Sequence, residues 1–296
     1  AFCQAPGRGY HELHHIVVDG THCMVTKNYR DSYARSLEEP EAFWLEAAGK
    51  ISWSSAPQRA LDSGRAPLYG WFPDGILNTS YNALDRHVAE GRGAQDALIY
   101  DSAMLGTQRR YSYAELTDLV ARFAGVLRSQ GVGKGDRVVI YMPMIPEAAI
   151  AMLATARLGA VHSVVFGGFA PKELAARIRD AAPAAVVTAS GGIEPSRRIE
   201  YLPAVAEALG LAGAPDTPVL VKARDGFASS VADHAGWRDW DTEMATAAPA
   251  APVDVEATDP LYVLYTSGTT GTPKGVVRDN GGHAVALSWT LENIYD

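Results

Sequence analysis

"DRVVIYMPMIPEAAIAMLATARLGAVHSVVF", Asp136 to Phe166, decides the fold. Its opening "DRVVIYM" is a short apolar, β-branched run, the composition of a strand buried on both faces. "PEAAIAMLATARLG" follows, with proline at the front, strong helix formers in the middle and glycine at the end. That is the punctuation of a helix. "AVHSVVF" is again a buried strand. Strand, helix and strand with short joints make a βαβ unit, whose two strands run parallel because the helix carries the chain back.

The alternation extends both ways. Downstream, "APKELAARIRDAA" reads as a helix, "AAVVTAS" as a strand, "IEYLPAVAEALG" as a helix and "TPVLVKA" as a strand. Upstream, "SYAELTDLVARFAGVLRSQG" places Ser112 as N-cap with Glu115 three residues on, a capping box. Its Leu116, Leu119, Val120, Phe123 and Leu127 share one helical face. "ALIYDS" and "RRYSY" are strands of a hairpin, "NALDRHVAEG" is helical, and "EEPEAFWLEAAGKISW" is a short amphipathic helix. The Pro- and aromatic-rich "APLYGWFPDGILN" is an irregular packed segment. The fold class is α/β, built of parallel-sheet βαβ subdomains covered on both faces.

Composition narrows the partners. Of 296 residues, 26 are Lys or Arg and 34 Asp or Glu, a formal net charge of −8. That balance gives no electrostatic reason to expect nucleic acid or an anionic membrane. Cys3 and Cys23 are the only cysteines, so no disulfide framework is expected and a cytoplasmic setting fits. The most apolar region, Ala148 to Ala170, carries Arg157, His162 and three glycines, and reads as a buried helix and strand rather than a membrane span.

The front end is different in character. "HELHH" (His11 to His15) matches the zinc-protease pattern H-E-x-x-H, but Gly7, Gly9 and the following "IVVDG" give it little helical support. Residues 1–26 are therefore expected to be a poorly ordered extension, with Met24 as a start. His87, His162, His234 and His283 share no metal spacing and read as structural, so no metal ligand is assigned.

An Ala/Pro-rich linker, "MATAAPAAPVDVEATDP", leads to the strand "LYVLYTS" and then to "SGTTGTPKG". In open parallel sheets ligands gather at the carboxyl ends of strands. Glycines let the backbone approach closely, successive N–H groups can converge on anionic oxygens, and Thr, Ser and Lys274 add donors and charge. The loop reads as a phosphate binder. It is not the kinase-type loop, in which lysine follows glycine and precedes a hydroxyl residue. Here Thr272 and Pro273 separate Gly271 from Lys274, and Gly275 follows.

"YTSGTTGTPKG" resembles the phosphate loop of the adenylate-forming superfamily. "EPEAFWLEAAGKISW", "YMPMIPEAAIAMLATARLGAVHSVVFGGFAPKELAARI" and "GVVRDNGGHAVAL" resemble its short-chain branch, the acetyl-CoA and propionyl-CoA synthetases. "GIEPSRRIEYLP" and "RDNGGHAVAL" look closer to the propionyl type. The resemblance covers about residues 27–296 and divides them into an acetyl-CoA-synthetase-type segment, 27–86, and the first part of an AMP-binding domain, 87–296. It implies a carboxylate–CoA ligase using ATP, Mg²⁺ and CoA through an acyl-adenylate. On it Thr266, Ser267, Gly268, Thr269, Thr270, Gly271 and Lys274 embrace the ATP phosphates, and Lys274 is the one candidate for a catalytic role. Phe166, Gly167 and Gly168 with Glu194, Pro195, Ser196 and Arg197 would line CoA, Arg197 meeting a phosphate. Glu194 stands where the acetyl type is expected to carry a basic residue. Family members are about twice as long, so the resemblance further implies a front half, inactive alone, that lacks the acyl pocket and exposes sheet edges. Two other classes stay open: a different adenylating enzyme, and a non-catalytic nucleotide-binding module.

Overall fold

The computed structural model describes residues 17–18, 21–22, 25–232, 234–266 and 273–295. "HELHH" lies outside the described residues. The front begins with a two-residue pairing of β1 (Val17–Val18) with β2 (Thr21–His22), followed by helices α1 (Val25–Glu38) and α2 (Pro40–Ala48). Short strands β3 (Leu61–Asp62) and β4 (Gly70–Trp71) pair antiparallel, and β5 (Ile76–Leu77) pairs with the distant β15 (Val255–Glu256). The expected helix at "NALDRHVAEG" is present and carries π-helical turns at Tyr81–Asp85 and Val88–Arg92. The expected hairpin is β6 (Asp96–Ser102) with β7 (Thr107–Ser112).

Next come α3 (Tyr113–Ser129), β8 (Arg137–Met142), α4 (Pro146–Arg157), β9 (Val161–Phe166), α5 (Pro171–Ala181) and β10 (Ala185–Ala189). Then follow β11 (Gly191–Glu194), β12 (Arg197–Glu200), α6 (Leu202–Ala212), β13 (Val219–Lys222), β14 (Trp237–Asp239) and α7 (Trp240–Thr246). The chain closes with β16 (Pro260–Thr266), β17 (Lys274–Asp279) and α8 (Asn280–Thr290). Ser112 caps α3 as its spacing predicts, accepting from the Glu115 N–H at 3.2 Å. Prolines open α2, α4 and α5, where their fixed φ suits the first turn and no N–H is lost.

The main sheet runs β14-β13-β10-β8-β9-β16-β17. All neighbours are parallel except β17, which returns antiparallel along β16. β17 is a strand that sequence reading did not separate from the loop, and it forms the sheet edge with Val276 and Val277 exposed. The pleat sends alternate residues of β8 to opposite faces. Val138, Ile140 and Met142 pack with Phe123 and Leu127 of α3 and Ala151 and Ala154 of α4. Val139 and Tyr141 pack with Leu174 and Ile178 of α5 and Val205 and Leu209 of α6. Among the described residues no helix is long and apolar enough to cross a membrane.

Another element departs from expectation. The helix read at "IEYLPAVAEALG" starts only at Leu202, and the segment before it is the hairpin β11–β12, with Glu194 opposite Arg197 and Gly191 opposite Glu200. Proline explains the boundary. A helix begun at Ile199 would put Pro203 in its interior, where it lacks an N–H and clashes with the preceding turn. Starting at Leu202 leaves it in the first turn, and freed of the helix the Arg–Arg–Ile–Glu run pairs as a strand.

Candidate functional site

The carboxyl ends of the parallel strands carry the candidate residues. Phe166 ends β9 in register with Met142, which ends β8, and the Gly167–Gly168 turn leaves from there. A side chain at Gly167 would put its Cβ 2.5 Å from the Tyr201 Oη and 2.8 Å from the Met142 carbonyl oxygen, so only glycine fits. Gly168 adopts a positive φ of 104°, which glycine alone tolerates readily. Tyr141 locks this turn: its hydroxyl donates to the Phe169 carbonyl at 2.9 Å and accepts from the Gly168 N–H at 3.1 Å. Burial raises the pKa of Tyr141, and burial followed by the neighbouring Tyr141 pushes Tyr201 up to about 12. Both phenols are therefore protonated at neutral pH.

The second candidate stretch lies against the first. A Cβ on Gly168 would meet Glu194 Oε1 and Ile199 Cδ1, each at 3.6 Å, so the turn after β9 and the β11–β12 hairpin are in contact range. Pro195 and Ser196 form the exposed hairpin tip between Glu194 and Arg197. Arg197 Nε donates to Glu194 Oε2 at 2.8 Å, a hydrogen bond that raises the guanidinium pKa further. The two terminal nitrogens of Arg197 have no partner among the described residues, and the side chain is exposed. The sequence-predicted Phe166, Gly167, Gly168, Glu194, Pro195, Ser196 and Arg197 thus form one surface.

The segment expected to bind phosphate leaves the same end of the sheet, beside β9. Thr266, the last residue of β16, sits opposite Lys274, the first of β17, and its Oγ1 donates to the Lys274 carbonyl at 3.5 Å. Both side chains belong to exposed residues. Ser267, Gly268, Thr269, Thr270 and Gly271 lie outside the described residues. The strand end is fixed from below, where the Tyr265 hydroxyl donates to Asp180 Oδ2 of α5 at 2.5 Å. Burial, then that bond and the Asp180 charge, raise the Tyr265 pKa.

With the geometry established, kinship can be read. Residues 85–294 match the family profile described as AMP-binding enzyme, and residues 29–83 match that of the acetyl-coenzyme A synthetase N-terminus. The chain belongs to the AMP-binding enzyme family. It is 57% identical to an uncharacterized protein of Pseudomonas aeruginosa over 90% of this chain and 42% of that protein. It is 49% identical to the mitochondrial acyl-CoA synthetase short-chain family member 3 of Mus musculus, over 90% of this chain and 39% of the relative. Among solved structures it superposes on acetoacetyl-CoA synthetase from Streptomyces lividans with a TM-score of 0.78 at 30% identity, covering 87% of this chain and 39% of that one. The chain thus spans about two fifths of the length of these relatives.

Four residues that pack around these segments were not singled out from the sequence: Tyr141, Arg177, Asp180 and Tyr201. Two had a signal. Tyr141 is the one polar-tipped residue inside an otherwise apolar strand centre. Arg177 shares a helical face with Leu174, Ile178 and Ala181, where periodicity calls for an apolar residue. Asp180 and Tyr201 gave none. Of the four histidines beyond residue 26, His87 lies against Tyr113, His234 stacks on Trp237, and His162 and His283 flank Tyr262. Burial pushes the His162 pKa down to about 4, so it is neutral in the fold.

Proposed function

We propose that this chain carries the ATP-phosphate loop and part of the CoA surface of a short-chain carboxylate–CoA ligase acting through an acyl-adenylate, with propionate or acetate as the acid. The observation that carries this reading is that two candidate binding segments leave adjacent strands at the same, carboxyl end of one parallel sheet. The loop between Thr266 and Lys274 leaves β16, and the Phe166–Gly168 turn leaves the adjacent β9 against the Glu194–Arg197 tip.

On this reading the acid's carboxylate oxygen attacks the α-phosphorus of ATP, the bond to the β-phosphate oxygen breaks, and pyrophosphate leaves. The CoA thiol, giving up its proton, then attacks the acyl carbon and expels AMP. Thr266, Ser267, Gly268, Thr269, Thr270, Gly271 and Lys274 would hold the β- and γ-phosphates, and Lys274 would offset charge building on the departing pyrophosphate. Arg197, its Nε engaged by Glu194, would turn its terminal nitrogens to a CoA phosphate, with Gly167 and Gly168 leaving room for the nucleotide. Among the described residues no three His, Cys, Asp or Glu side chains cluster to hold a metal ion. Mg²⁺, which the resemblance implies, would enter with ATP, and no ligand set is assigned to it. We further assign residues 27–86 to the acetyl-CoA-synthetase-type segment and 87–296 to the first part of the AMP-binding domain, in a protein of the cytosol.

The test is ATP–pyrophosphate exchange with propionate and with acetate, on this chain and on the same chain within a polypeptide of its relatives' length. Carboxylate-dependent exchange in the longer polypeptide, lost on Lys274→Ala, is the expected result. No exchange with either acid would end the ligase reading.

A further inference from the structure

The end of β16 and the turn after β9 meet on one side chain. Arg177 of α5 is only 8% exposed at its side chain, whereas its ion-pair partner Glu173 is 55% exposed. Its Nη1 donates to the Glu173 carbonyl at 2.6 Å and to Glu173 Oε2 at 3.0 Å. Burying a guanidinium costs several kcal/mol unless it is well paired, and one half-exposed carboxylate one turn away is modest compensation. What else it touches is informative. The guanidinium carbon lies 5.0 Å from the Phe169 ring centroid and 5.6 Å from that of Tyr265. Phe169 closes the turn after β9, and Tyr265 precedes Thr266 at the mouth of the phosphate loop. Both distances fall within the range of cation–π attraction, and a planar guanidinium can serve two rings as a compact ammonium cannot.

Each ring has a second, independent tether. Tyr265 is held through its hydroxyl by Asp180, on the next turn of the same helix. Phe169 is held through its carbonyl by Tyr141 of β8. Arg177 is the contact the two share.

We propose that Arg177 is a positioning residue common to both loops, setting the strand end at Tyr265–Thr266 and the turn at Phe166–Phe169 together. Assigning these loops to ATP and CoA rests on the function proposed above; their coupling through Arg177 does not.

The test is amide hydrogen exchange on the chain without ligand, read over residues 166–170 and 260–266, with β8 (137–142) as the internal control. Arg177→Met should raise exchange at least tenfold in both segments and leave β8 unchanged. Arg177→Lys, which keeps the charge and the Glu173 pair but not the planar face, should recover part of the protection in both. Tyr265→Phe, which keeps the ring but loses the Asp180 bond, should raise exchange only over 260–266. Phe169→Leu should raise it only over 166–170. A rise confined to one segment in the Arg177 variants, or no rise, overturns the proposal. Should Arg177→Met also deprotect β8, Arg177→Lys decides by the same criterion. A null ATP–pyrophosphate exchange would remove the ligase reading and leave this result standing, so the two failures are distinct.

Discussion

Gly125 sits inside α3, where alanine is ordinarily better by about 1 kcal/mol. Here a Cβ would lie 1.9 Å from the Ala248 carbonyl oxygen and 3.1 Å from its carbon. Neither neighbour is a side chain that can swing away. The linker backbone is pinned close by, the Ala250 N–H donating to the Ala121 carbonyl at 2.8 Å. Gly125→Ala should therefore cost ~2–3 kcal/mol despite its better propensity, read as a lower urea midpoint. A variant as stable as the parent would show that the linker yields. At this scale the sequence is half legible. A glycine inside a helical pattern signals a close approach, and Arg177 on an apolar face signals a buried contact, but neither names its partner. Gly167 and Tyr201 meet across 34 residues of chain, and nothing local in either announces the other.

At the scale of elements, periodicity carried the reading well where strands and helices are long and buried, as in β8, α4 and β9. It failed where four-residue strands owe their existence to a partner, as in β11–β12, and for β17, whose residues are nearly all exposed. The join from β17 to α8 offers a test. Asp279 caps α8, its Oδ1 accepting from the His283 N–H at 3.2 Å. Burial nevertheless raises its pKa, outweighing the lowering by the His283 and Gly282 backbone bonds. The cap is thus useful and its charge is not. Asp279→Ala should cost about 1 kcal/mol, while Asp279→Asn, which caps without charge, should stay within about 0.5 kcal/mol of the parent. The sign with pH follows from linkage. With a folded pKa above the unfolded one, Asp279 contributes most below the unfolded value, and that contribution is lost as pH rises through the folded one. Asp279→Asn should therefore gain on the parent as pH climbs through the carboxylate range. If Asn proves as costly as Ala, the negative charge itself is what α8 needs.

Across the whole molecule, remote segments converge on the end of α4. Arg157 Nη1 and Nη2 donate to the two Asp85 oxygens at 2.7 and 3.0 Å, and its Nε donates to the Ala250 carbonyl at 2.6 Å. Asn78 Nδ2 faces the carbonyls of Ala156, Arg157 and Val253 at 3.2, 3.1 and 2.8 Å. Further out, Trp44, Trp71 and Phe72 join Val285 and Trp289 of α8 in one apolar cluster. The front segment, the sheet domain and the Ala/Pro-rich linker are therefore tied by polar contacts at one end and aromatic packing at the other. The resemblance divided the chain at residues 86 and 87 and composition marked the linker, but neither has a means of seeing a clamp between residues 72 positions apart. The Arg157 side chain is 6% exposed and that of Asp85 19%. Removing one partner of such a pair strands a largely buried charge, so Arg157→Met should cost ~3–5 kcal/mol, and Asp85→Leu with Arg157→Met should cost clearly less than Arg157→Met alone. The same variants report on unity. Trp237 of β14 and Trp240 of α7 are replaced by Phe in every variant compared, the parent included. The tryptophans left are Trp44, Trp53, Trp71 and Trp289, so fluorescence follows the front segment and α8 while far-UV circular dichroism follows the sheet and its helices. If the clamp joins one cooperative unit, both probes should give coincident urea transitions in the parent and in the double variant. Transitions that separate in the parent would mean that the front segment unfolds on its own, and that the Arg157–Asp85 pair docks two units instead of completing one.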